Sequence, residues 1–115
     1  MEKRHGRRFN VNWAVYIGHP TCGFVLGKTI NVSLSGIAFL SGLRYPVYDQ
    51  ISLQIEVSPM ETIRCVGQIV REKSTSAGKY SYSVRLLRFS GNDRRTYSDK
   101  LLELRRVELA PETAA

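Results

Sequence analysis

From Val11 to Phe89 apolar and polar residues alternate in short runs, the period-two signature of strands that keep one face in a core. Val11, Trp13, Val15 and Ile17 alternate with Asn12, Ala14 and Tyr16, which predicts a first strand with Trp13 in the core. His19-Pro20-Thr21-Cys22-Gly23 reads as a turn, and Phe24 to Val32 as a second strand with Phe24, Leu26 and Ile30 on one face. Ser33 to Gly36 breaks the pattern before Ile37-Ala38-Phe39-Leu40 resumes it. Ser41 to Gln50 carries Gly42, Pro46 and Asp49 and is a connection. Ile51, Leu53, Ile55 and Val57 then alternate against Ser52, Gln54, Glu56 and Ser58. Ser58-Pro59-Met60-Glu61 predicts a hairpin turn into a strand over Ile63 to Val70, and a polar tip, Lys73 to Lys79, separates that strand from Tyr80 to Phe89. Six or seven short strands at spacings of roughly ten residues predict a small antiparallel barrel or sandwich.

The period changes after Phe89. Ser90 or Asn92 can cap a helix, Asp93 suits its first turn, and Arg105 and Arg106 suit its last. Tyr97, Leu101 and Leu104, with Leu102 beside them, form an apolar stripe at helical spacing that is read as packing against the strands. The sequence thus divides into a flexible basic arm over 1–10, a barrel with its closing helix over 11–106 and a tail over 107–115.

Length and composition agree with one domain. The 115 residues are 43% hydrophobic, enough for a core. No apolar run approaches the roughly 20 residues needed to span a bilayer, and nothing resembles a signal peptide, so a soluble, cytoplasmic protein is expected. Cys22 and Cys65 lie far apart, and His5 and His19 complete no zinc spacing; two reduced thiols and no metal are expected.

Charge narrows the ligand. The net +7 is uneven: residues 1–10 carry Lys3, Arg4, Arg7 and Arg8 against Glu2, whereas 93–115 balance five basic with five acidic side chains. Such a field attracts anions, whether nucleotides, nucleic acid or an acidic partner. No carboxylate pair, Ser/His/Asp set, Cys/His pair or phosphate-cradling glycine loop has workable spacing, so no catalytic residue is expected and an enzyme is not.

Two short segments carry the specific chemistry. Arg4-His5-Gly6-Arg7-Arg8 sets two arginines four apart in the arm, and Asn31-Val32-Ser33-Leu34-Ser35-Gly36 is an Asn-x-Ser-x-x-Gly turn between two strands. Guanidinium forks suit phosphates and the O6/N7 edge of guanine, and Asn and Ser on a tight turn add short-range polar contacts. The pair points to an anionic, guanine-bearing small molecule.

In this frame the chain resembles the PilZ family of cyclic di-GMP receptors, over roughly residues 3–105. The resemblance rests on Arg-x-x-x-Arg, on Asn-x-Ser-x-x-Gly, on Gly67-Gln68-Ile69-Val70-Arg71 and Tyr82-Ser83-Val84-Arg85-Leu86 as the last two barrel strands, and on the closing helix. It implies a mainly β fold, a small six-stranded antiparallel barrel with a C-terminal α-helix. It also implies that Arg4 and Arg8 hold phosphates and guanine edges, that Asn31 and Ser33 contact a guanine, and that Gly36 turns the backbone clear of the ligand. Arg7 is a further contact, and Lys3, Arg71 and Arg85 are additional candidates. Lys3 stands where another arginine is common, and a point charge cannot fork onto a guanine. Asn31 in place of Asp accepts less strongly from guanine N1–H and N2–H.

The function implied is that of a receptor and adaptor without a cofactor. Cyclic di-GMP orders the arm, and the signal passes to an unidentified effector protein in motility, pili, biofilm or virulence, the receptor being a monomer or weak dimer. Two other readings compete. A PilZ-like module could work through protein contacts alone, which the intact motifs argue against. A small nucleic-acid-binding barrel could stack bases on Tyr16, Tyr45, Tyr48, Tyr80 and Tyr82, but these do not gather with arginines on one strand pair.

Overall fold

The computed structural model describes residues 7–21, 23–75 and 77–109. Seven strands precede one helix: β1 (Phe9–Asn10), β2 (Ala14–His19), β3 (Gly23–Val32), β4 (Gly36–Ser41), β5 (Gln50–Ser58), β6 (Glu61–Ser74), β7 (Tyr80–Phe89) and α1 (Asp93–Leu109). Every pairing is antiparallel, and six strands close in the order β3-β2-β5-β6-β7-β4 through a final β4–β3 pairing. Closure removes the free edges of an open sheet. Of the barrel and sandwich that the alternation allows, the chain forms the barrel.

The seventh strand, β1, lies outside that ring. Lys28 pairs with Ala14 on one side and Leu40 on the other, and Val32 pairs with Phe9 and Ile37. Hence β1 and β2 share one edge of β3, and β4 holds the other. The first predicted strand is corrected here, because it begins at Ala14. The register of β1 differs by one residue from that of β2, and residues 11–13 absorb the difference. Thr29, buried within the barrel, donates its hydroxyl to Trp13 O at 2.8 Å, with Val11 O also in range at 3.3 Å, and its amide donates to Trp13 O at 3.3 Å, which ties this stretch to β3 where the ladder breaks. Trp13 and Val11 pack only partly buried against the core.

The core is filled by inward positions of all six ring strands: Val15 and Ile17, Val32, Ile37 and Phe39, Leu53 and Ile55, Ile63 and Ile69, Tyr82 and Val84. The Phe24–Leu26 face of β3 points outward, with those two residues 56% and 58% exposed. α1 covers one end of the ring against β6 and β7, with Tyr97 and Leu101 buried, Leu104 partly so and Leu102 exposed. Its first turn is fixed by Asp93, whose Oδ2 accepts the Arg64 amide at 2.8 Å, while Asn92 O accepts the amides of Arg95 and Thr96. Cys65 sits in the core nearby, and burial pushes its thiol up to about 12.

Candidate functional site

Alternation alone would turn Asn31 and Arg71 into the barrel, and two β-bulges reverse them. On β3, Thr29 pairs with Phe39 but Asn31 pairs with Ala38, so Ile30 is an extra residue. On β6, Ile69 pairs with Val84 but Arg71 pairs with Ser83, so Val70 is an extra residue. Each insertion shifts side-chain parity by one. After the first bulge Asn31 faces out and Val32 fills the core. After the second, Arg71 and Lys73 face out, and Glu72 turns towards Tyr82.

The two bulged segments flank one outer face of β3, β4, β7 and β6. Between them lies a shallow depression of about 200 Å³ whose rim carries Ile30, Asn31, Arg71 and Lys73 and whose floor is Ala38, Ser81 and Ser83. A floor of small side chains with amide and cationic groups at the rim suits a flat, polar, anionic ligand. Lys73 was expected in the polar tip; β6 runs on to Ser74 and puts it on this face instead.

The two sequence motifs meet at the edge of the depression. Arg8 donates from Nη1 to Asn31 Oδ1 at 2.8 Å. β1 brings them together, because Asn10 pairs with Asn31 and so carries the arm past the outward end of β3. A guanidinium has five N–H donors, so an Arg8 held at Nη1 keeps others for phosphate or guanine acceptors. Arg7, next in sequence, points elsewhere: its guanidinium lies over the Phe9 ring at 5.9 Å, on the helix side. Lys3 and Arg4 lie outside the described residues, as does Cys22.

The remaining expected residues take different places. Ser33 is 3% exposed, and its Oγ accepts the Gly36 amide at 3.1 Å inside the turn. The Ser33 amide donates to Gly36 O at 2.8 Å, and the buried Tyr97 hydroxyl donates to Ser33 O. Burial pushes the Tyr97 phenol well above its usual range, so it stays a donor. Ser33 therefore shapes the turn. Gly36 has no left-handed φ; a Cβ there would lie 2.9 Å from Val84 O, so the glycine is required by the neighbouring strand. Arg85 faces out beyond Ser83 on β7 and donates to Gln68 Oε1 at 3.0 Å, off the depression.

Beneath the second bulge lies a network that sequence reasoning missed. Tyr82, buried, accepts the Tyr45 amide at 2.8 Å and donates to Glu72 Oε2 at 3.0 Å. Arg44 donates to both oxygens of Glu72, at 3.1 and 3.3 Å. The Arg44 hydrogen bond holds the Glu72 carboxyl below its usual range, and burial pushes the Tyr82 phenol up to about 12. Its only sequence signal is Glu72 between the basic Arg71 and Lys73. Among the described residues no cluster of His, Cys, Asp and Glu could hold a metal ion, and no helix is long and apolar enough to cross a membrane.

The chain is thus a closed antiparallel barrel, capped by one helix, with an arginine of its leading segment held on an outward asparagine. The PilZ domain family model matches residues 2–103, and the chain belongs to that family. Among solved structures it is similar to the Bacillus subtilis inhibitor of motility MotI/DgrA, with a TM-score of 0.77 and 16% identity over 96% of this chain and 55% of that one. It is similar to Escherichia coli YcgR in complex with c-di-GMP, with a TM-score of 0.77 and 13% identity over 93% of this chain and 48% of that one. The PilZ domain of YcgR with c-di-GMP matches at a TM-score of 0.71 and 13% identity, over 93% of this chain and 95% of that domain. The chain thus spans about half the length of the first two. No curated protein matches it significantly in sequence.

Proposed function

We propose that the chain is a cytoplasmic receptor for cyclic di-GMP, a binding module and not an enzyme, whose arm over 1–10 closes on ligand held at the barrel face. The observation that carries this reading is the Arg8–Asn31 hydrogen bond, which joins the two motifs at the edge of the depression. Cyclic di-GMP carries two phosphates and two guanines. Arg4 and Arg8 supply forks for phosphate oxygens and for guanine O6/N7, and Asn31 offers an amide to a guanine edge. Arg71 and Lys73 add positive charge over a floor that leaves room for a base. Ser33 and Gly36 hold Asn31 in position. Arg7, Arg85 and Lys3 are auxiliary charges.

In the adaptor reading, the barrel with its helix, which runs three residues past 106 to Leu109, forms the fixed unit, and ordering of the arm changes the surface offered to an effector protein in motility, pili, biofilm or virulence. Neighbours whose structures hold c-di-GMP support the choice of ligand. The test is calorimetric titration with cyclic di-GMP at physiological salt, with GTP and a short oligonucleotide as controls. Selective binding at micromolar or tighter affinity is expected, and its stoichiometry distinguishes one ligand molecule from an intercalated pair. Absence of heat, with no shift in thermal stability, overturns the reading in favour of a module that works through protein contacts alone.

A further inference from the structure

Away from the depression, on the helix side of the arm, lies a groove of about 230 Å³. Phe9, Leu34, Leu101 and Leu102 make its apolar lining, and Arg7 and Arg105 contribute the charge. Leu34 and Leu102 are 54% and 45% exposed. Leu34 occupies a turn position where polar residues are usual, and nothing in the core requires it. No carboxylate among the described residues lines the groove, and Arg105 makes no ion pair among them.

We infer that this groove docks a segment of a partner protein that presents an apolar side chain between carboxylates. The occupant follows from complementarity. Buried apolar anchors supply affinity, and arginines beside them select acidic over basic segments. Lipid or nucleic acid would call for a broad array of cations, whereas this site has two around an apolar centre.

The groove is also built from the two ligand motifs. Arg7 adjoins Arg8, and Leu34 adjoins Ser33. Movement of the arm that brings Arg8 onto a ligand moves Arg7, so docking and nucleotide binding are linked and each changes the affinity for the other by the same factor. That linkage rests on the cyclic di-GMP reading; the docking does not.

The probe is a pair of labelled synthetic peptides of equal length, with a central Leu-Phe flanked by Asp and Glu in one and by Lys in the other. Both are titrated into the full chain with and without saturating cyclic di-GMP. The acidic peptide is expected to bind about tenfold or more tighter than the basic one, and to lose about tenfold in Leu102→Asp and in Arg105→Glu. Both variants change exposed side chains and are expected to keep the parent's melting temperature and nucleotide affinity. Equal binding of the two peptides, or binding that survives both substitutions, overturns the docking. So does a dimer of the parent that Leu102→Asp dissolves, which would seat a second copy in the groove. If the acidic peptide binds but nucleotide does not, the cyclic di-GMP reading and the linkage fall while the docking stands. If both bind independently, the linkage alone falls.

Discussion

Asn31 and Ser33 are two positions apart in one motif, yet they serve opposite sides of the barrel wall. Asn31 faces out and receives Arg8; Ser33 faces in and receives the Gly36 amide. Their substitutions are expected to separate accordingly. On the proposed site, Arg8→Ala removes a forked, charge-assisted contact to the nucleotide and should lose most cyclic di-GMP binding, about a hundredfold, whereas Asn31→Ala should lose about tenfold, both read by calorimetry. Parent-like binding by both variants would place the ligand elsewhere. Ser33→Ala leaves a buried amide without its partner and is expected to cost about 1–3 kcal/mol in urea unfolding while changing nucleotide affinity less than Asn31→Ala. A Ser33→Ala protein of normal stability that fails to bind would restore a direct ligand contact. The motifs themselves were legible from residue type and spacing. The inward turn of Ser33 was not, because it depends on Tyr97 reaching its carbonyl from a helix 64 positions away in sequence.

The succession of the six ring strands along the chain, the hairpin turn at Ser58–Glu61, the strand over Tyr80–Phe89 and the helix start near Asp93 could all be read from alternation and turn chemistry; the order in which the strands pair, and the short β1, could not. The bulges could not. Ile30 and Val70 are β-branched apolar residues and look like ordinary strand positions, so nothing in the sequence marks them as extra. With them, the outward aim of Asn31 and Arg71 stayed hidden, as did the inward aim of Glu72. That inward carboxylate gives the element a pH signature. Its folded pKa is depressed, chiefly by Arg44, so its stabilisation is complete above the unfolded carboxylate pKa and is lost as pH falls through the folded value. Urea midpoints measured from about pH 6 down to about pH 3 are expected to fall more steeply for the parent than for Glu72→Gln, with the difference closing at the acid end. Parallel curves would remove Glu72 from the account.

At the scale of the molecule, each ring strand is paired along both edges, whereas β1, outside the ring, is held to β3 by only two residue pairs. Hydrogen exchange should register this. Cyclic di-GMP is expected to slow exchange at Phe9, Asn10 and the residues before them, while amides of the central strand β5 stay as they are. Uniform protection throughout would indicate general stabilisation by mass action without arm closure. Cys65 offers a second reading of the same architecture. Its thiol lies in the core close to Asp93 and the start of α1, and burial holds it in the unreactive protonated form. In a Cys22→Ser background, the rate at which a thiol reagent labels Cys65 is therefore a clock for the opening of the barrel at its helical cap. Nucleotide that acts only on the arm should leave the clock unchanged, and nucleotide that tightens the cap should slow it.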